Sequence, residues 1–296
     1  VRVDPNYVLN LSSSLDLSSS QESQLTSELS SGLRVSSLSV DPTAVAQSAL
    51  LDTAISQEDT YVQTASGETS RLQAADSALG EVVTQVTSAV SLAVSAGNGT
   101  LSSSDLSSVQ QQLTAVRDSV LALANTSYGG TYLFSGSQGT TKPFAIDTST
   151  VPATTTYSGD SVTQSVVTPT GQSIQVNLPG AAVFGSVLGA LNQLIADFSG
   201  TGVSATVATD GAALTTALGQ VSTQRSVLDS SLSTLESTST YTQTQAANAT
   251  NAQSTLMSAD TATVATQLSA AETQHQALLS VISGLEQATD LFGYLH

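Results

Sequence analysis

Two amphipathic segments, one near each end of the chain, constrain the fold more than any other feature, because neither has a local partner to cover it. Near the start, Val8, Leu11, Leu15, Leu25 and Leu29 fall on one three-four stripe, with Ser18 and Glu22 filling the same stripe between them. The surrounding serines are mediocre helix formers, so this segment alone in water is marginal. Near the end, Val264, Leu268, Ala271, His275, Leu278, Ile282, Leu285 and Phe292 form a stricter heptad seam, and a heptad seam requires a partner helix. The ends are therefore expected to pair with each other or with neighbouring subunits.

Between them the pattern changes twice. Gly32 and Asp41-Pro42 break the first helix, and Asp41 is placed to cap the next with Pro42 in its first turn. That helix carries Leu72, Ala75, Leu79, Val82, Val86, Ala89 and Ala93 on one face and ends at the Gly97-Asn98-Gly99 turn. A third helix, capped by Ser103 or Ser104, carries Leu106, Val109, Leu113, Val116, Val120 and Leu123, and the two read as an antiparallel hairpin. The helical period disappears at Tyr128-Gly129-Gly130. Thr131–Phe134, Phe144–Ile146, Ser161–Thr168 and Ser173–Leu178 read as strands, with Ile174, Val176 and Leu178 on one face. Tyr157–Asp160 and Thr170-Gly171 read as turns, and Tyr132, Phe134, Phe144 and Tyr157 as the core of this region. Helix returns over Ala181–Phe198, and then from an Asp210 cap through Leu214, Leu218, Val221, Leu228, Leu232 and Leu235, with Arg225 in the one polar slot.

The fold class expected is mainly α with an inserted small β domain: long antiparallel helices and coiled-coil-forming ends. The boundaries expected are an N-terminal assembly helix over 1–40, disordered in the monomer, and the first half of a helical bundle over 41–128. The β domain follows over 129–180, the second half of the bundle over 181–257, and a C-terminal assembly helix over 258–296.

Charge excludes one class of partner. The chain carries a net charge of −17, and its six basic residues are scattered singly, so no basic stripe exists to neutralise phosphates. Nucleic-acid binding is not expected, nor is attraction to anionic lipid. The apolar run around Ala181–Leu191 reads as too short and glycine-interrupted to enter a membrane. Cysteine is absent, which suits a chain that travels unfolded without cross-linking. Val1–Asn6 lacks the apolar stretch of a signal peptide, although the Ser- and Thr-rich, lysine-poor surface chemistry is that of an exported protein. Together these point to a dedicated export route.

Catalytic chemistry finds no foothold. No Gly-x-Ser-x-Gly elbow is present, and His275 and His296 stand without an acidic cluster, so neither an enzyme nor a metal or cofactor site is expected. His275 reads as a polar seam residue, and Asp147 and Asp160 as turn residues rather than calcium ligands.

Specific motifs carry a resemblance. Ser31-Gly32-Leu33-Arg34-Val35 followed by Asp41-Pro42 is similar to the Ser-Gly-Lys-Arg-Ile…Asp-Asp-Pro signature of the flagellin-like family, with Leu33 in place of the lysine and Val40 in place of the first aspartate. Asn125-Thr126, Gly130-Thr131-Tyr132-Leu133-Phe134-Ser135-Gly136, Pro143-Phe144, Tyr157-Ser158-Gly159-Asp160 and the Leu291–Leu295 ending resemble, in order, the hook-associated protein 3 branch of that family.

The resemblance implies a structural subunit of the bacterial flagellum, secreted and extracellular, at the junction of hook and filament. It implies export unfolded through the type III channel with a cytoplasmic chaperone, then a homo-oligomeric ring on hook-associated protein 1 that receives flagellin. Its assembly interface would comprise Val8, Leu11, Leu15, Leu25, Leu29, Val264, Leu268, Leu278, Ile282, Leu285, Phe292 and Leu295. Gly32, Arg34, Asp41, Pro42, Tyr132, Phe134 and Gly136 are the motif residues. Two other readings compete: flagellin itself, which shares the terminal helices, and a secreted coiled-coil adhesin or needle-tip-like protein.

Overall fold

A computed structural model describes residues 5–97, 101–199 and 205–293. Six helices account for most of them: α1 (Pro5–Ser31), α2 (Pro42–Ala96), α3 (Ser103–Ala124), α4 (Gly180–Asp197), α5 (Val207–Met257) and α6 (Thr261–Gly293). Between α3 and α4 lie six short strands: β1 (Ser127–Tyr128), β2 (Thr131–Tyr132), β3 (Phe144–Asp147), β4 (Thr154–Tyr157), β5 (Ser165–Val167) and β6 (Ser173–Gln175). The chain divides into two compact units, residues 1–56 with 245–296, and residues 57–244.

The larger unit owns the main core. All seven stripe residues from Leu72 to Ala93 are buried on α2, and Leu106, Val109, Leu113, Val116 and Val120 on α3. Val183, Phe184, Val187, Leu188, Leu191 and Leu194 of α4 and Leu214, Val221, Leu228 and Leu235 of α5 complete it. By length and composition α2 and α4 are apolar enough to cross a bilayer, but the apolar face of α4 is spent in this core. Arg225, in the polar slot of α5, reaches Asp76 of α2 with Nε–Oδ1 2.6 Å and Nη2–Oδ2 3.1 Å. This bidentate pair satisfies the guanidinium beside Gly80, where an added Cβ would sit 3.5 Å from it.

The β region is inserted between α3 and α4, as small strand pairs. It is three two-stranded antiparallel ladders, β1–β2, β3–β4 and β5–β6, rather than one sheet. Isolated two-stranded ladders are marginal on their own, and these lean on helices: Leu133, Phe134, Phe144, Ile174 and Leu178 belong to the same core as α2–α5. Ile174, Val176 and Leu178 are buried together, as their alternation predicts. Tyr157 lies at the end of β4 opposite Phe144, not in a turn. The expected Thr131–Phe134 strand ends at Tyr132.

Helix starts also shift. Ser102, not Ser103 or Ser104, caps α3, in a reciprocal capping box with Asp105. The fifth helix begins at Val207, so Asp210 lies in its first turn and its N–H donates to the Thr206 carbonyl. Asn98–Thr100 lie outside the described residues.

Candidate assembly surface

In the smaller unit α1 and α6 run antiparallel. Leu25 packs with Val264 and Ala271, and Glu22 faces His275 further along α6. The inward positions of α1 are Leu11, Leu15, Ser18, Glu22 and Leu25, and those of α6 are Val264, Leu268, Ala271, His275, Leu278 and Ile282. The α6 seam thus finds a partner in the chain's own α1. Leu29 lies past the paired stretch and is 37 % exposed. Leu25 already meets Val264, and α6 begins only three residues earlier at Thr261, so no further turn of α6 exists to cover Leu29. Val8, Leu285 and Phe292 lie in α1 and α6, but their side chains are outside the described set, as is residue Leu295 altogether.

This seam is thin. Its buried apolar side chains are Leu25, Val264 and Ala271 among the described residues, with Leu268 and Ala259 partly buried against them, and its middle is polar. Ser18 Oγ and His275 Nδ1 are buried with no hydrogen-bond partner among the described residues, and Nδ1 stands 3.9 Å from Glu22 Oε1, too far for a hydrogen bond. A polar layer in a coiled-coil seam specifies register at a cost in stability. Off the seam, Leu9 and Leu17 on α1 and Leu279 and Val281 on α6 are exposed, Leu17 by 69 %. The stripe reading passed over these four because each lies off the inward-facing spacing of its helix, Leu9, Leu279 and Val281 directly beside a stripe residue. Their only signal was the presence of a large apolar side chain where a solvated face needs none.

The Gly32–Pro42 motif builds the joint that sets the two helices side by side. Gly32 adopts φ +69°, ending α1 with its N–H on the Glu28 carbonyl, as a left-handed C-terminal glycine does. Leu33 then bridges Ser258, the N–H of Arg34 donates to the Met257 carbonyl at 2.8 Å, and that of Ala259 to the Gly32 carbonyl at 2.9 Å. Arg34 Nη2 donates to the Leu256 carbonyl at 3.1 Å, so the arginine caps the C-terminal end of α5. Asp41 Oδ1 accepts from the Ala44 N–H and the Thr43 hydroxyl, with Pro42 opening α2. These bonds hold the Asp41 carboxyl below its usual range, Thr43 contributing most and the charge of Arg34 adding to it. Leu33 and Val40, the two departures from the family signature, are both partly exposed, at 40 % and 42 %.

The second motif builds a packing knot in the larger unit. Phe134 and Phe184 meet edge to face at 4.8 Å between centroids, and Phe144 lies 4.9 Å from Tyr157. Tyr132 is half-buried and outside this cluster. The side chain of Asn125 acts as a substitute strand for β3: Nδ2 donates to the Phe144 carbonyl at 3.0 Å, and Oδ1 accepts from the Phe144 N–H at 2.9 Å. Gly136 takes φ +73°, and a Cβ there would strike the carboxylate and carbonyl of Asp160. Asp160 accepts from the Ser137 and Val162 N–H groups and the Ser137 hydroxyl, which lowers its pKa, Ser137 being the main cause. Among the described residues no group of three or more His, Asp or Glu side chains is placed to hold a metal.

Comparison with known proteins agrees with this layout. The bacterial flagellin N-terminal helical region matches residues 6–139, and its C-terminal helical region matches residues 212–295. Flagellar hook-associated protein 3 of Escherichia coli K12 is 30 % identical over 256 residues, covering 79 % of this chain and 80 % of that protein. Its Salmonella typhimurium counterpart is 34 % identical over 167 residues, an alignment spanning 55 % of this chain and only half the length of that relative. In structure, flagellar hook-associated protein 3 of Legionella pneumophila superposes with a TM-score of 0.61 at 15 % identity, over 70 % of this chain and 98 % of that one. The fold is therefore flagellin-like, and the chain belongs to the flagellar hook-associated protein 3 family.

Proposed function

We propose that this chain is the structural subunit joining the flagellar hook to the filament, and that its paired end helices are the surface through which it assembles. The observation that carries the reading is the imbalance between the two units. The larger has a broad apolar core, whereas the α1–α6 seam buries three apolar side chains among the described residues and leaves Leu9, Leu17, Leu279 and Val281 outside. Packing, not propensity, supplies most helix stability, so a pair this thin gains by burial against further helices. Copies of this chain in a ring, hook-associated protein 1 below and flagellin above would supply them. Before export, a cytoplasmic chaperone on the C-terminal segment would keep the same face covered.

The match to flagellin helical regions favours a second reading, the filament subunit itself. Copy number separates the two: a junction protein is a trace band in sheared flagella, while a filament protein dominates them. The main test is a deletion strain viewed by electron microscopy. Bare hooks with flagellin released into the medium are expected. Filaments of normal length on the deletion strain would refute the junction role.

A further inference from the structure

The outer face of α1, turned away from α6, is apolar and acidic at once. Leu9 and Leu17 lie about two turns apart on the side opposite Leu11, Leu15 and Leu25. They are 67 % and 69 % exposed, with exposed Asp16 between them. Burial of leucines this open to water is free energy still available to a partner. On α6, Leu279 and Glu272 are exposed as well. Neither helix holds a lysine or arginine, while α1 has Asp16, Glu22 and Glu28 and α6 has Glu272, Glu286 and Asp290 in its sequence.

Charge decides what can cover that face. The same helices of a second copy would set acids against acids, and like charges face to face weaken an interface. Nor does a copy have cations to bring from elsewhere. Among the described residues Arg34, Arg71, Arg117 and Arg225 already lie against Asp41, Glu68, Asp118 and Asp76, and Lys142 alone makes no ion pair. The cover must therefore supply both an apolar stripe for the leucines and positive charge for the acids beside them. We propose that the outer face of α1 docks an amphipathic helix of a different polypeptide, one that sets Lys or Arg beside Leu-type side chains. The proposal rests on the end helices being the assembly surface and narrows that reading: copies of this chain adjoin elsewhere than on this face.

The test titrates the full chain with three labelled helical peptides of about three heptads. One has a leucine stripe flanked by lysines, one the same stripe flanked by glutamates, and one keeps the lysines with serine in place of leucine. Fluorescence anisotropy reads binding at low and high salt, and sedimentation reads self-association of the chain alone. The leucine–lysine peptide is expected to bind and to weaken as salt rises, with the other two at least about tenfold weaker. Leu9→Ser combined with Leu17→Ser should weaken it about tenfold or more, and Asp16→Asn about two- to fivefold, with the larger unit melting as in the wild type. Equal binding of the serine–lysine peptide (charge alone), equal binding of the glutamate peptide (apolar contact alone), or indifference to the double variant (another site) overturns the proposal. So does no binding, or low-salt self-association that the double variant abolishes, which makes a second copy the cover. Bare hooks on the deletion strain without peptide binding would leave the junction role standing and sink this face; full filaments with peptide binding would do the reverse.

Discussion

Replacing Asn125 with Ala removes the side chain that tethers β3 to the end of α3. Three hydrogen bonds go with it: Nδ2 to the Leu121 carbonyl at 2.9 Å, Nδ2 to the Phe144 carbonyl at 3.0 Å, and the Phe144 N–H to Oδ1 at 2.9 Å. The Leu121 carbonyl keeps its helical bond from the Asn125 N–H, so its loss is small. Phe144 is 1 % exposed, so its N–H has no water to turn to. A buried donor left unmade costs about 1–3 kcal/mol, and the lost carbonyl bond about 1 kcal/mol more. The expected total is roughly 2–4 kcal/mol, which for a unit of this size is a fall in melting temperature of about 4–16 °C. Differential scanning calorimetry of the full chain measures it in the transition of the larger unit. Asn125→Asp sharpens the test: it keeps an acceptor for the Phe144 N–H but aims a carboxylate at two carbonyls, so its loss should shrink as pH falls through the carboxyl range. A shift below about 1 °C for the Ala variant would show that Asn125 is not what fastens the β region to the helices.

Other outcomes follow from the same geometry. Gly180→Ala should destabilise by about 1–3 kcal/mol, because the new Cβ would stand 2.6 Å from the Phe134 carbonyl oxygen and 2.8 Å from the Phe144 ring. In the same helix Gly189→Ala, with nothing within 4 Å, should stabilise by roughly 0.5–1 kcal/mol in a urea titration. Asp210 has a raised pKa, caused by burial first and then by Asp197 beside it. A carboxyl raised on folding favours the folded state below its folded pKa and loses that contribution as pH rises through it. Asp210→Asn should therefore raise stability at pH 7 and flatten the wild type's gain between neutral and mildly acidic pH. Asp41, Asp160 and Asp260 have lowered pKa values, each mainly from a hydrogen-bonding Thr or Ser side chain. Their contribution is present above about 3.9, the ordinary value, and disappears only as pH falls through the lower folded values.

Much of the helical architecture was legible because burial follows spacing when one face meets one core. The Leu72–Ala93 and Leu106–Val120 stripes needed no partner to be recognised, and Gly32 and Asp41-Pro42 announced a helix end and start by backbone chemistry alone. What escaped depends on residues far apart in the chain. Arg225 was visible as a polar slot, but Asp76 lies 149 positions away and nothing local pairs them. The strand Thr154–Tyr157 was hidden because three threonines after Pro152 carry no apolar alternation, and Tyr157 draws its place from Phe144 opposite.

The central claim is that the paired end helices carry assembly, and Leu278→Asp tests it most directly. Leu278 lies on the inner face of α6, half-buried, so the new carboxylate enters the seam where α1 and any added helix must pack. The variant is introduced into the deletion strain, secretion into the medium is measured by immunoblot, and hooks are examined by electron microscopy. The account predicts a secreted protein whose larger unit melts as in the wild type, on cells with bare hooks. A variant secreted at wild-type level on cells that still grow full filaments would contradict it.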